Sequence, residues 1–147
     1  PGAGASVTAL AALALLGAWL IWQPLRSENA VASAETAAAR GDLGAAFGDA
    51  RRAAGADPLA LQPLFVLSAL YEASGDARAA RAQLVEAVKL QPQSYDSWLA
   101  LGRFDLAAHQ PRRALASLQR ALALAPTMAA TIEALDTARA ELAARSG

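Results

Sequence analysis

The chain overlaps itself when it is shifted by 34 positions. Leu64, Leu67, Leu70, Ala80, Leu84, Ala87 and Pro92 return as Trp98, Leu101, Phe104, Ala114, Leu118, Ala121 and Pro126, and Arg78 returns as Arg112. A recurrence at such an interval marks a repeat architecture, in which one supersecondary unit can bury its apolar side only against the next. Within each copy the spacing is helical. Leu64, Leu67 and Tyr71, then Trp98, Leu101 and Asp105, fall at i, i+3 and i+7, one stripe of a first helix. Ala80, Leu84 and Ala87, then Ala114, Leu118 and Ala121, form the facing stripe of a second. Ser68 and Gly102 are small residues at the crossing, where two backbones can come close. Pro92 and Pro126 then stop the second helix, because proline donates no ladder hydrogen bond and disfavours helix in the residue before it.

These residues in this order resemble the tetratricopeptide repeat (TPR) family. The copy at 95–128 carries Trp98, Leu101, Gly102, Ala114, Leu118, Ala121 and Pro126; the copy at 61–94 carries Leu64, Leu67, Ser68, Tyr71, Ala80, Leu84, Ala87 and Pro92. Two positions depart from the family pattern: Asp105 stands where an aromatic is usual, and Ser68 where glycine is. The resemblance implies an all-α solenoid of stacked helix pairs.

An earlier copy spans 27–60. Ala46, Ala53 and Pro58 lie one period before Ala80, Ala87 and Pro92, and Gly41-Asp42 one period before Gly75-Asp76. In both dipeptides glycine suits the turn and aspartate the next N-cap. This copy is degenerate, with Ala30 and Ser33 where bulk is expected, so its packing should be loose. After Pro126, a capping helix over 127–145 has Ile132, Leu135 and Leu142 on one side, and Glu133, Asp136, Arg139, Glu141 and Arg145 on the other.

Ahead of the repeats, Ala5 to Trp22 contains no charged residue. A helix of that length covers roughly 27 Å, near the hydrocarbon thickness of a bilayer. Trp19 and Trp22 stand at one end, where indoles favour the headgroup boundary, and Pro24 and Arg26 follow. The expectation is a transmembrane helix with a short connector over 1–26 and a TPR domain of about three helix pairs over 27–147. A secretory signal peptide fits less well, since no basic segment precedes the apolar run. A buried core helix is the remaining alternative.

Composition narrows the chemistry. Thirteen basic and thirteen acidic residues cancel, which argues against a general nucleic-acid footprint. The absence of cysteine removes disulfides and thiolate metal sites. His109 is the single histidine and holds the turn position of Gly75 one period later, so it reads as a surface turn residue. No phosphate-cradling loop, metal set or catalytic constellation is apparent, and the expectation is no enzyme activity, no cofactor and no metal.

In the TPR family the first helices line a concave groove. By register the resemblance places there Glu28, Val31 and Glu35, then Gln62, Phe65, Ala69 and Glu72, then Asp96, Leu99 and Arg103. Chaperone-binding members clamp a C-terminal carboxylate with lysine and asparagine at such positions; this chain has neither there, so the likeness does not extend to that ligand. A mildly acidic groove with apolar spots at Phe65 and Leu99 would take a protein or peptide segment carrying a basic residue. The competing reading has both residues only padding the helix stack. The second helices carry the opposite charge: Arg51, Arg52, Arg78, Arg81, Arg112, Arg113 and Arg120, with Lys89, against Asp49, Asp76 and Glu86. A basic convex side beside a membrane could meet anionic lipid or glycan, while plain solvation with local ion pairing is the alternative.

The whole chain also resembles the C-terminal end of actinobacterial O-antigen ligase or polymerase-like membrane proteins. Trp19 to Ser27 and Asp57-Pro58-Leu59 carry that likeness. It implies a membrane-anchored scaffold with an extracytoplasmic TPR domain, accessory to a surface-polysaccharide glycosyltransferase whose catalytic loops lie upstream. The alternative is a free-standing single-span TPR protein that assists assembly, as in cytochrome c maturation or client holding at a translocon.

Overall fold

The computed structural model describes residues 28–145, which form seven α-helices. They belong to two compact units that meet in sequence between Pro63 and Leu64. The first unit holds α1 (28–39) and α2 (Leu43–Ala56). The second unit holds most of α3 (Gln62–Ala73), then α4 (Ala77–Leu90), α5 (Tyr95–Ala107), α6 (Pro111–Leu124) and α7 (Ala129–Ala144).

Each pair is closed by the same turn, and the turn recurs with the sequence period. At the end of α1, Gly41 N–H donates to Ala38 O and Asp42 N–H to Ala37 O. The pattern repeats as Gly75 to Glu72 with Asp76 to Tyr71, and again as His109 to Leu106 with Gln110 to Asp105. This is the Schellman arrangement, whose C′ residue must enter the left-handed region. Gly41 and Gly75 do so at φ 78° and 83°, and His109 follows at φ 55°. Asp42 Oδ1 and Asp76 Oδ1 then accept from Ala45 N–H and Ala79 N–H, both at 2.9 Å, capping α2 and α4. The third turn has Gln110, which makes no side-chain cap bond; Pro111 begins α6 instead, its fixed φ suited to a first helical turn.

The two units have different cores. Among the described residues, the buried apolar residues of α1 and α2 are Ala34, Ala37, Ala46, Ala50 and Ala53, so these two helices remove little apolar area from water. In the second unit, Leu99, Ala114, Leu118, Ala121, Ala134, Leu135 and Ala138 interlock α5, α6 and α7. A neighbouring cluster joins Leu84 and Val88 of α4 to Leu101 of α5, with Phe65, Trp98 and Phe104 against it. The α5–α6 crossing is tight: a Cβ at Gly102 would stand 2.6 Å from Leu118 Cγ and 2.7 Å from its Cδ2. Trp98 also ties down the loop before it, its indole N–H donating to Pro92 O at 2.9 Å.

Two expectations need correction. The apolar run 5–22 lies outside the described residues, and among the described residues no helix is long and apolar enough to cross a membrane. The longest, α7, has 16 residues and carries Glu133, Asp136, Arg139 and Glu141. The described residues therefore form a helical repeat solenoid with no membrane-crossing helix among them, and the membrane location and bilayer contact through 5–22 are withdrawn with it. Within α7 the inward stripe is Thr131, Ala134, Leu135 and Ala138, while Ile132 is 44% exposed. Small residues face α6, where the helices come close; Ile132 falls at the position of Trp98 one period on, and among the described residues no second helix follows to cover it.

Candidate functional site

The groove residues of the first unit converge. Glu28, Val31 and Glu35 follow one another at i, i+3 and i+7 on α1, and with Gln62 they line one open cleft of about 450 Å³. Ala32 and Ala60 complete its apolar part, and Asp57 adds a third carboxylate. Asp57 is placed there by the turn after α2, where its Oδ1 accepts from Leu59 N–H at 3.1 Å. The cleft thus sets three carboxylates around Val31 and two alanines, a surface suited to a cationic side chain with an aliphatic stem. Asp57 belongs to no first helix, and the helical register could not have brought it in.

The groove residues of the second unit are dispersed. Ala69, Glu72 and Asp96 are exposed. Asp96 holds the phenol of its neighbour Tyr95 above the usual tyrosine range, chiefly by a hydrogen bond. Phe65 packs against the cluster of Leu84, Val88 and Leu101. Leu99 is only 8% exposed and sits in the core of α5, α6 and α7. Arg103 is exposed and lines a second cleft of about 350 Å³ with Leu106, Ala130, Glu133, Thr137 and Glu141. His109 borders the same cleft, its Nδ1 3.9 Å from Glu141 Oε2, too long for a hydrogen bond. That carboxylate oxygen is buried and accepts no hydrogen bond.

The arginines of the second helices are not one free patch. Arg52 pairs with Asp49, which also accepts from Ser33 Oγ. Arg51 stacks its guanidinium over the Phe47 ring, 5.5 Å from the centroid. Arg81 donates through Nε and Nη2 to the two oxygens of Asp105, at 2.6 and 3.0 Å. Asp105 is 1% exposed and Arg81 34%, so a carboxylate fills the place of the usual aromatic and is neutralised from the adjacent repeat. The hydrogen bond to Asp105 raises the Arg81 pKa further above its ordinary value, and the guanidinium stays charged. Arg78, Arg112, Arg113 and Arg120 remain exposed, with no ion pair among the described residues. No group of His, Cys, Asp and Glu among the described residues could hold a metal.

No protein-family profile and no curated protein matches the chain. Solved structures do. The first TPR domain of human RPAP3 superposes with a TM-score of 0.71 at 17% identity, covering 84% of this chain and 97% of that one. The TPR domain of Sgt2 from Aspergillus fumigatus gives 0.70 at 20% identity, over 82% of each chain. The first TPR of Spaghetti (RPAP3), bound to the HSP90 peptide SRMEEVD, gives 0.69 at 17% identity, over 82% of this chain and 95% of that one. At such identities the likeness is one of fold, and the fold is that of TPR domains.

The same comparisons correct the O-antigen ligase resemblance, since the similar structures include TPR domains and none of those named is an O-antigen ligase. The short motif behind it, Trp19 to Ser27, lies outside the described residues. The membrane-anchored scaffold, its single-span assembly-factor alternative, the extracytoplasmic placement and the lipid or glycan partner fall together. They rested on a span that no described helix supplies, and on a basic patch in which Arg51, Arg52 and Arg81 are already engaged.

Proposed function

We propose that this chain is a protein–protein interaction module that holds a segment of a partner along the first helices of its repeats, with a basic side chain of that segment in the cleft of Glu28, Glu35 and Asp57. The convergence of those three carboxylates on Val31, Ala32 and Ala60 carries the proposal. A similar fold binds a peptide in the RPAP3 complex, whose HSP90 ligand SRMEEVD is acidic. The α1 cleft has the opposite requirement, because carboxylates facing carboxylates repel and lose their hydration without a counter-charge.

The test is a titration of the 147-residue chain with a fluorescein-labelled peptide of alternating lysine and leucine. Replacing both Glu28 and Glu35 by glutamine should weaken binding by at least about tenfold, the scale of one or two charge-assisted hydrogen bonds. Binding should also fall steeply as salt approaches about 1 M, where screening reaches within ~3 Å. Equal affinity of the double variant and the parent would refute the assignment.

A further inference from the structure

A third cleft, of about 570 Å³, lies in the second unit on the side of the second helices. Its apolar part comes from Val85 of α4 and Phe104 of α5, both packed on the cluster of Leu84, Val88 and Leu101, so neither is free to collapse into the opening. Four cations line it: Arg78, Arg81 and Lys89 from α4, and Arg113 from α6. Of its two carboxylates, Asp105 is consumed by Arg81, and Glu86 lies 3.4 Å from the Lys89 ammonium. Arg78 and Arg113 are exposed without a counter-charge among the described residues.

Arg81 is the unusual member. An arginine offers five N–H donors in a rigid fork, and Asp105 takes two of them. The remaining donors belong to a guanidinium that is already immobilised and a third exposed, so receiving an anion there costs little further side-chain entropy. A fixed, partly open arginine beside two unpaired ones and an apolar slot fits a particular chemistry: a carboxylate next to a bulky apolar side chain.

We propose that this cleft is a second docking site, independent of the acidic cleft on α1, and that it takes an acidic segment of a partner protein. A Glu or Asp of the segment lies on Arg81 between Arg78 and Arg113, and an adjacent leucine-like side chain enters between Val85 and Phe104. The opposite charges of the two clefts let one domain hold two partners, or two parts of one partner, without competition.

The experiment uses the 147-residue chain and a fluorescein-labelled peptide, Glu-Glu-Leu-Leu-Glu-Glu, at low salt. Arg78→Gln with Arg113→Gln should lower affinity at least about tenfold. Arg112→Gln with Arg120→Gln removes the same charge from exposed positions outside the cleft, and should change affinity by less than about twofold. Glu-Glu-Gly-Gly-Glu-Glu should bind at least about fivefold more weakly, for lack of an apolar anchor. Glu28→Gln with Glu35→Gln should leave the acidic peptide unaffected, which separates this site from the first. All the replaced residues are exposed, and an unchanged far-UV spectrum verifies folding. Equal losses in the two arginine pairs would reduce the site to a diffuse basic face, and equal binding of the glycine peptide would remove the apolar slot; either result, or no binding at all, overturns the proposal.

Discussion

His109 shows how a single residue departs from its own period. Gly41 and Gly75 take the left-handed turn position without strain, and a Cβ at either would meet nothing within 4 Å, so conformation alone decides what belongs there. A non-glycine residue pays roughly 1–2 kcal/mol in that region. His109→Gly should therefore raise stability by about 0.5–1 kcal/mol, after the greater unfolded-state freedom of glycine is subtracted, and Gly75→Ala should lower it by about 1 kcal/mol. Urea midpoints measure both. The Arg81–Asp105 pair makes the second residue-scale prediction. Arg81→Met strands a buried carboxylate and should cost about 2–3 kcal/mol, below the usual figure for a fully buried pair because Arg81 is itself a third exposed. Arg81→Leu with Asp105→Phe replaces both charges by apolar bulk and should recover most of that loss in the same assay.

At the scale of elements, the α5–α6 crossing is the most demanding contact. Gly102 admits Leu118 at a distance no Cβ would allow, whereas Ser68, one period earlier, holds a side chain at the equivalent place and stays buried. Gly102→Ala should then force α5 and α6 apart and cost about 1–3 kcal/mol by chemical denaturation, while Ser68→Ala should have a small effect. Much of this level is legible in the sequence, because a helix stripe, a glycine turn and a proline stop are local signals. Gly102 and Ser68 are recognisable as crossing residues from spacing alone. Whether a stripe residue faces a neighbour or water is not local. Leu99 went inward because α6 and α7 both close on it, and Ile132 remained outward because none of the described helices lies beyond it. Ser97 Oγ and Thr131 Oγ1, one period apart, are buried without hydrogen-bond partners, a cost with no warning in their sequence context.

For the molecule as a whole, the alanine-only core of α1 and α2 contrasts with the leucine and aromatic packing of α4 to α6. An alanine buries far less apolar area than a leucine, so the amides of 28–56 should exchange with solvent well before those of 95–124 in a native-state hydrogen-exchange experiment. Partner binding in the α1 cleft should slow exchange in that first segment. The sequence by itself determined the period, the helical pairs, the turns that join them and the acidic register of α1, because each depends on residues within one turn or one repeat of each other. Tertiary structure alone decided that Asp57 joins Glu28 and Glu35, that Asp105 is neutralised by an arginine 24 positions away, and which arginines have no ion pair among the described residues. Charges find their partners through space, and their spacing along the chain does not reveal which partner desolvation will enforce.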